Sequence, residues 1–218
     1  MIKIAPSVMC MDLLALGAQI HQLDSMGVDM YHFDVMDGHY VPNHALCCDT
    51  LKAIRKVTKS TLDVHLMITN PDQYIEMYAD AGADIISVHV ETLNHPIRVL
   101  RKIRSLGKKA CLAVNPATGI ENFGYLMDYL DAVCIMTVDP GFAGQQMIPS
   151  VLGKISQLRE RITQANKEID IIVDGQVKEL TAGDYVNAGA NVLVLGNSGL
   201  FDHHVSEYQS LIEKYRAL

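Results

Sequence analysis

Eight short apolar segments alternate with amphipathic segments along the chain, and this alternation limits the fold more than any other feature. The apolar segments are rich in Val, Ile and Leu, as expected of parallel strands that helices cover. The predicted strands are residues 2–5, 30–34, 62–67, 85–90, 110–114, 133–136, 169–173 and 192–195. A predicted helix follows each strand, at residues 13–23, 51–57, 71–81, 98–106, 126–130, 151–164, 180–188 and 205–215.

Two parallel architectures share this alternation, an open doubly wound sheet and a closed barrel. The open sheet usually carries a G-x-G-x-x-G turn after its first strand, and Pro6-Ser7-Val8 stands there instead. No linker or low-complexity segment interrupts the 218 residues. We therefore predict that residues 1–218 form a single α/β domain, a (β/α)8 TIM barrel. Its active site should lie where the carboxyl ends of the strands meet the following loops.

Composition argues against several classes of partner. No apolar run reaches the roughly 18 residues that a membrane span needs, and no signal peptide is apparent. The five cysteines lack C-x-x-C spacing, which favours a reducing compartment, so we expect a cytoplasmic protein. The formal net charge of −7 argues against a nucleic-acid partner. Homo-oligomerisation stays open, because an apolar helix face can pack on its own barrel or on a second copy.

Two histidines and two aspartates fall at the predicted active-site end of the strands. His32 and Asp34 are two residues apart in strand two, so their side chains point to the same face. His65 lies near the end of strand three, and Asp174 ends strand seven. Such a set can hold one divalent ion, for example zinc, iron, manganese or cobalt. A structural His–Asp hydrogen bond is the alternative, and the presence of four such residues makes it less favourable.

Glycine-rich loops are predicted after strands six, seven and eight. Glycine lets backbone N–H groups approach a phosphate closely, and the last two of these loops form the usual phosphate site of the fold. A short helix starting near Ser198 would add its positive N-terminal end. The alternative is that the glycines only make tight turns. The candidate phosphate contacts are Gly141, Phe142, Ala143, Gly144, Gly175, Gln176, Gly196, Asn197 and Ser198.

Three methionines, Met36, Met67 and Met136, lie at or just beyond the ends of strands two, three and six. Their flexible, uncharged side chains could wall the site and keep water from a reactive intermediate. Filling of the core is the alternative interpretation. His89 and Glu91, near strand four, are predicted to support the site or the fold rather than to react.

A set of specific motifs extends over nearly the full length of the chain. It comprises Pro6-Ser7, residues 32–38 with Val41-Pro42-Asn43, His65-Leu66-Met67, Asn115-Pro116-Ala117-Thr118, Met136-Thr137-Val138 with Pro140-Gly141-Phe142, Asp174-Gly175 and Gly196. In these motifs the chain resembles the ribulose-phosphate 3-epimerase family.

The resemblance implies metal ligation by His32, Asp34, His65 and Asp174, with the two aspartates also transferring protons. It implies substrate contacts at Ser7, His65 and Asp174, and a phosphate held by the three glycine loops. The implied reaction inverts C3 of a 2-ketose phosphate through an enediolate. Such an inversion needs one base on each face of the substrate.

Other positions are similar to the allulose-6-phosphate 3-epimerase branch of that family, namely residues 8–14, Asp139, Ala143 and residues 197–201. They favour D-allulose 6-phosphate and D-fructose 6-phosphate as the substrate pair. D-ribulose 5-phosphate and D-xylulose 5-phosphate are the alternative pair. Gln176 departs from both branches, in which Gly or Ser is expected.

Two further functions are less favoured. A phosphate-binding decarboxylase or aldolase barrel would carry an Asp-x-Lys-x-x-Asp motif, but Met36 stands two residues after Asp34. A non-catalytic sugar-phosphate-binding barrel would bind its ligand without solvent exchange at C3.

Overall fold

Eight parallel strands form one sheet in the computed structural model, which describes residues 1–218. The strands are β1 (Lys3–Pro6), β2 (Met30–Met36), β3 (Thr61–Met67), β4 (Ile85–His89), β5 (Lys109–Val114), β6 (Ala132–Met136), β7 (Asp170–Asp174) and β8 (Val192–Leu195). Ladders join them in the order β1-β8-β7-β6-β5-β4-β3-β2, and a parallel bridge between Ser7 and His32 connects the two ends. The predicted (β/α)8 barrel is therefore confirmed.

Seven α-helices cover the outside of the barrel, and the alternation of side chains along the strands produces two cores. The helices are α1 (Leu16–Ser25), α2 (Cys48–Val57), α3 (Ile75–Ala81), α4 (Pro96–Ser105), α5 (Val151–Gln164), α6 (Glu179–Ala188) and α7 (Tyr208–Arg216). Tyr31 and Phe33 point outward into the core between strands and helices. Met30 faces the barrel interior, where it packs with Ile172 and Val194. Residues that share the parity of Met30, including His32 and Asp34, therefore point into the barrel.

The helix predicted at 126–130 is wrong, and with it the expectation that an α-helix follows every strand. Two 3-10 segments, Glu121–Tyr125 and Met127–Tyr129, connect β5 to β6 instead. Phe123 and Met127 still bury their side chains against the main core. The apolar pattern correctly indicated which residues pack inward. A helix that ended at residues 126–130 would have to pass through Gly124, and glycine disfavours the interior of a helix.

Several helix boundaries also differ from the prediction. The first helix begins at Leu16 rather than at residue 13, because the Asp12 carboxylate accepts the Leu14 N–H at 2.9 Å and holds a turn there. Leu13 is 61% exposed as a result. The third and last helices are each preceded by a separate 3-10 turn, Pro71–Gln73 and Val205–Glu207. The short helix predicted near Ser198 is a π-helical turn, Asn197–Phe201.

The helices of the barrel are short and partly polar. None of them combines the length and the apolar character that crossing a bilayer requires.

Candidate active site

The structure brings His32, Asp34, His65 and Asp174 together inside the carboxyl end of the barrel. Their four ligand atoms lie within 4.8 Å of one another. His32 Nε2 lies 3.4 Å from Asp34 Oδ1 and 3.5 Å from Asp174 Oδ2. His65 Nδ1 lies 3.5 and 3.6 Å from the same two oxygens. The two nitrogens are 3.1 Å apart. The predicted cluster is therefore a single compact set of donor atoms.

These separations fit a shared cation. An ion about 2.1 Å from four tetrahedral ligands would hold those ligands roughly 3.4 Å apart. The five separations given above span 3.1–3.6 Å. Two imidazole nitrogens and two carboxylate oxygens also suit zinc and other divalent transition metals. Five of the six separations thus suit a shared metal ion, and the remaining pair of donor atoms lies within 4.8 Å.

The charges of the cluster favour the same conclusion. Burial alone would raise the pKa of Asp34, but the neighbouring His32 and His65 hold it far below its usual range. Burial alone would lower the pKa of His32, yet the charge of Asp34 and the hydrogen bonds of Asp174 and Asp63 raise it. Both carboxylates therefore stay ionised and draw positive charge into the cluster. A divalent cation could replace the protons that the two imidazoles would otherwise carry.

Partners outside the cluster orient His32. Its Nδ1 lies 2.9 Å from Asp63 Oδ2, and the Ser87 hydroxyl donates to Asp63 Oδ1 at 2.7 Å. All three side chains are fully buried. A carboxylate on the far nitrogen of a histidine fixes its tautomer and leaves the near nitrogen free to coordinate a metal. Asp63 was not identified from the sequence, although its place two residues before His65 put it on the inward face of β3.

A pocket opens above the cluster, and it contains every candidate phosphate contact. Asp34, Asp174 and Ser7 lie on its wall, and Met36, Met67 and Met136 line it as predicted. His32 and His65 are fully buried below this lining, so a substrate contact of His65 stays a prediction. Neither lysine nor arginine lines the pocket. The phosphate candidates on its wall are Gly141, Phe142, Ala143, Gly144, Gly175, Gln176, Gly196, Asn197 and Ser198.

The glycines of these loops serve different purposes. Gly175 has φ +114°, and a Cβ there would lie 2.7 Å from the Val138 side chain, so a turn and its packing require it. Gly196 has φ −95°, and its Cβ would meet only Cys10 Sγ at 3.3 Å. The sign of φ therefore does not require glycine at 196. The lack of a side chain leaves its backbone open to the pocket, as close approach of a ligand would need.

Residues to which the sequence assigned no contact also line the pocket, among them Met9, Cys10 and Gln145. Burial and the charge of Asp34 raise the pKa of Cys10 to about 11, so this thiol stays neutral. The Gln145 amide donates to the backbone oxygens of Asp139 and Phe142 and so closes the loop on itself. Their loops directly follow strands, and Met9 and Cys10 also belong to the residues 8–14 that resemble the allulose branch.

Gln176 has an uncommon backbone conformation, with φ +42°. Its side-chain oxygen accepts the Met147 N–H at 2.6 Å and ties the loop after β7 to the loop after β6. Non-glycine residues with positive φ are concentrated at functional sites. Gln176, the residue that departs from both branches of the family, lines the pocket.

Comparison with known proteins agrees with this geometry. Residues 3–201 match the model of the ribulose-phosphate 3 epimerase family. The chain belongs to the ribulose-phosphate 3-epimerase family. Ribulose-phosphate 3-epimerase of Bacillus subtilis is 45% identical over 199 residues, which cover 91% of this chain and 92% of that protein. Ribulose-phosphate 3-epimerase of Escherichia coli K12 is 40% identical over 215 residues, with 98% and 94% covered. This member of the family is a carbohydrate epimerase.

Solved structures of other proteins share the fold of this epimerase at low sequence identity. The 3-hexulose-6-phosphate synthase of Salmonella typhimurium has a TM-score of 0.70 at 16% identity, with 98% of this chain and 97% of that chain covered. The KGPDC structure from Streptococcus mutans has a TM-score of 0.74 at 10% identity, with 100% and 99% covered. At such identities the likeness concerns the barrel alone.

Proposed function

We propose that this protein is a divalent-metal-dependent ketose-phosphate 3-epimerase whose substrate pair is D-allulose 6-phosphate and D-fructose 6-phosphate. One observation carries the catalytic part of the proposal. Asp34 from β2 and Asp174 from β7 both reach the same two buried imidazoles and both lie on the pocket wall. Two ionised carboxylates from different strands offer two bases on different sides of one pocket.

Inversion at C3 removes a carbon-bound proton from one face and returns a proton to the opposite face. A single fixed base cannot readily reach both faces, so two carboxylates are needed. β2 and β7 are separated by β1 and β8 around the barrel, which suits approach from different sides. When bound, the divalent ion supplies Lewis-acid stabilisation of negative charge on the substrate oxygens. His32, Asp34, His65 and Asp174 would hold it.

Neighbouring groups prepare the pocket for this reaction. The Ser7 hydroxyl donates to Asp34 Oδ2 at 2.8 Å, and this hydrogen bond fixes the orientation of the carboxylate within the cluster. Met36, Met67 and Met136 are all at most 5% exposed and line the pocket with uncharged side chains. Such a wall limits access of water to the carbanion-like species that deprotonation produces.

Backbone amides are proposed to hold the phosphate, since the pocket wall offers no cationic side chain. Gly196→Val should therefore raise KM for the phosphorylated ketose by roughly tenfold to a hundredfold, as expected when hydrogen bonds to a charged group are lost. The melting temperature, measured alongside, reports separately any cost of the tight contact that an added Cβ would make with Cys10 Sγ at 3.3 Å. Steady-state kinetics would measure the effect.

Gly153→Val is a matched control on the exposed surface of α5, where an added Cβ has no neighbour within 4 Å. It should leave KM unchanged. An unchanged KM in Gly196→Val would contradict the proposed phosphate site.

The hexose phosphate is proposed because several of the residues that resemble the allulose branch lie at the pocket. Cys10, Asp139, Ala143, Asn197 and Ser198 all line it. The relatives named ribulose-phosphate 3-epimerase support D-ribulose 5-phosphate and D-xylulose 5-phosphate as the second candidate pair.

Comparison of kcat/KM for allulose 6-phosphate and ribulose 5-phosphate distinguishes the two candidates. We expect a preference of roughly tenfold or more for the hexose phosphate, the scale that pocket contacts typically give. A preference for the pentose phosphate would establish the second pair. Binding of both sugars without deuterium exchange at C3 would contradict an epimerase function altogether.

A further inference from the structure

His65 is held from behind by a second buried histidine. Its Nε2 lies 2.8 Å from His89 Nε2, while its Nδ1 faces Asp34 and Asp174. Both imidazoles are fully buried, so water does not compete for these nitrogens. One hydrogen lies between the two Nε2 atoms. In a neutral imidazole only one nitrogen is protonated, so the ring that carries this hydrogen determines which nitrogens of both rings are unprotonated, or bare. His32 differs, because a carboxylate contacts its far nitrogen directly.

Behind His89 lies a carboxylate. His89 Nδ1 is 3.2 Å from Glu91 Oε2 and 3.0 Å from the Tyr40 hydroxyl. The other oxygen of Glu91 accepts the Asn115 backbone N–H at 2.8 Å. The Asn115 side-chain amide donates to the Tyr40 oxygen at 2.9 Å, which leaves the Tyr40 proton free to point at Glu91 Oε2, 3.4 Å away. Residues from β4 and from the loops after β2 and β5 thus converge behind His65.

The Glu91 carboxylate determines the direction of the two hydrogen bonds that link it to His89 and His89 to His65. Burial alone would raise the pKa of Glu91, but hydrogen bonds from His89, Thr118 and Asn115 lower it to about 2. The ionised group only accepts hydrogen bonds. The proton between Glu91 and His89 therefore belongs to His89 Nδ1. A neutral His89 then has a bare Nε2, and His65 must donate from its own Nε2.

We propose that Glu91, acting through His89, is a positioning residue that keeps a proton on His65 Nε2, so that Nδ1, which faces the two carboxylates, is the nitrogen left to bind a metal. The inference rests on the metal site of the proposed function, since a bare Nδ1 is what a metal requires of this histidine. It assigns a purpose to a hydrogen-bonded network that runs from the buried His89 to Glu91 and does not touch the substrate pocket. Neither His89 nor Glu91 lines that pocket.

Glu91→Gln tests the inference because it preserves the shape of the side chain and changes its donor pattern. If the new amide oxygen still accepts the hydrogen bond from the Asn115 N–H, the amide NH2 faces His89 Nδ1 and donates to it. His89 then donates from Nε2, and His65 must carry its proton on Nδ1, where the metal would bind. We expect affinity for cobalt(II) to fall by roughly 10- to 100-fold. The visible absorption spectrum of the cobalt-loaded protein should also change.

Cobalt(II) titration of the purified full-length protein, with metal removed beforehand, gives affinity and spectrum without reference to turnover. Glu121→Gln is the matched control, because it removes one carboxylate from the loop after β5 without contact to His89. It should bind cobalt as the unmodified protein does. Glu91→Asp retains an acceptor-only group, so it should bind cobalt more tightly than Glu91→Gln does.

The possible outcomes separate the two proposals. Failure of the unmodified protein to bind cobalt would contradict the metal site of the proposed function. Equal affinity and identical spectra in Glu91→Gln and the unmodified protein would overturn the role of Glu91 alone, as would an equal loss in Glu121→Gln. If circular dichroism shows that Glu91→Gln does not fold, the shorter pair Glu91→Asp and Glu91→Asn decides the question. Equal affinity within that pair would also overturn the role.

Discussion

Asp34→Asn and Asp174→Asn should each lower the rate of net C3 epimerisation by a factor of roughly 10² to 10⁴, the usual contribution of a general base. Each variant keeps an oxygen ligand and the shape of the side chain but loses the group that accepts a proton. Because the two carboxylates reach the cluster from β2 and β7, each is expected to act on one face of the substrate. Loss of either one should stop inversion.

The two variants should differ in the exchange that remains. A protein with one working base can still remove the C3 proton from the epimer that presents it on that side and return a proton to the same face. Deuterium wash-in at C3, measured for each epimer separately, should therefore be confined to opposite epimers in the two variants. Metal content must be equal in both samples, since both residues belong to the ligand set.

Asp139→Asn is the matched control for this pair. Asp139 lines the same pocket but does not belong to the cluster of metal-ligand candidates. Its variant should exchange and invert both epimers. Interconversion of the epimers at close to the unmodified rate in Asp34→Asn or Asp174→Asn would contradict the two-base assignment.

Removal of the divalent ion by a chelator should abolish turnover and leave the fold intact. Loss of Lewis-acid stabilisation worth several kcal/mol corresponds to a rate lower by roughly 10³-fold or more. The fold should survive because neither apolar core includes the four candidate metal ligands. One core lies between strands and helices, and the other lies deeper inside the barrel. Protonated imidazoles can pair with the two carboxylates once the ion has gone, since the pKa values of His32 and His65 are raised.

The circular dichroism melt and the turnover rate of the chelated protein are the two measurements. Turnover should return when zinc, iron, manganese or cobalt is added back, and the ranking of these ions would identify the preferred metal. The same chelator saturated with calcium beforehand serves as the control for nonspecific effects. Unfolding on chelation would show instead that the ion stabilises the structure.

Local patterns in the sequence were sufficient to predict the fold and to locate the candidate site. Alternation along a strand put His32 and Asp34 on one face, and the structure has both pointing into the barrel. The barrel then followed from eight strands, because parallel strands bring their carboxyl ends to one edge. The same patterns failed between β5 and β6, where apolar spacing predicted a helix that glycines disfavour.

Only the tertiary structure decided which groups contact the candidate metal ligands from behind. Asp63 reaches His32 from the neighbouring strand, and Glu91 reaches His65 through His89 from the strand beyond. These pairings depend on the register between strands, which places Asp63 opposite His32 and Ser87 opposite His65. Periodicity within one strand determines the face on which a side chain lies. The side chain that it meets is determined by the stagger of the closed barrel, which arises from contacts distant in sequence.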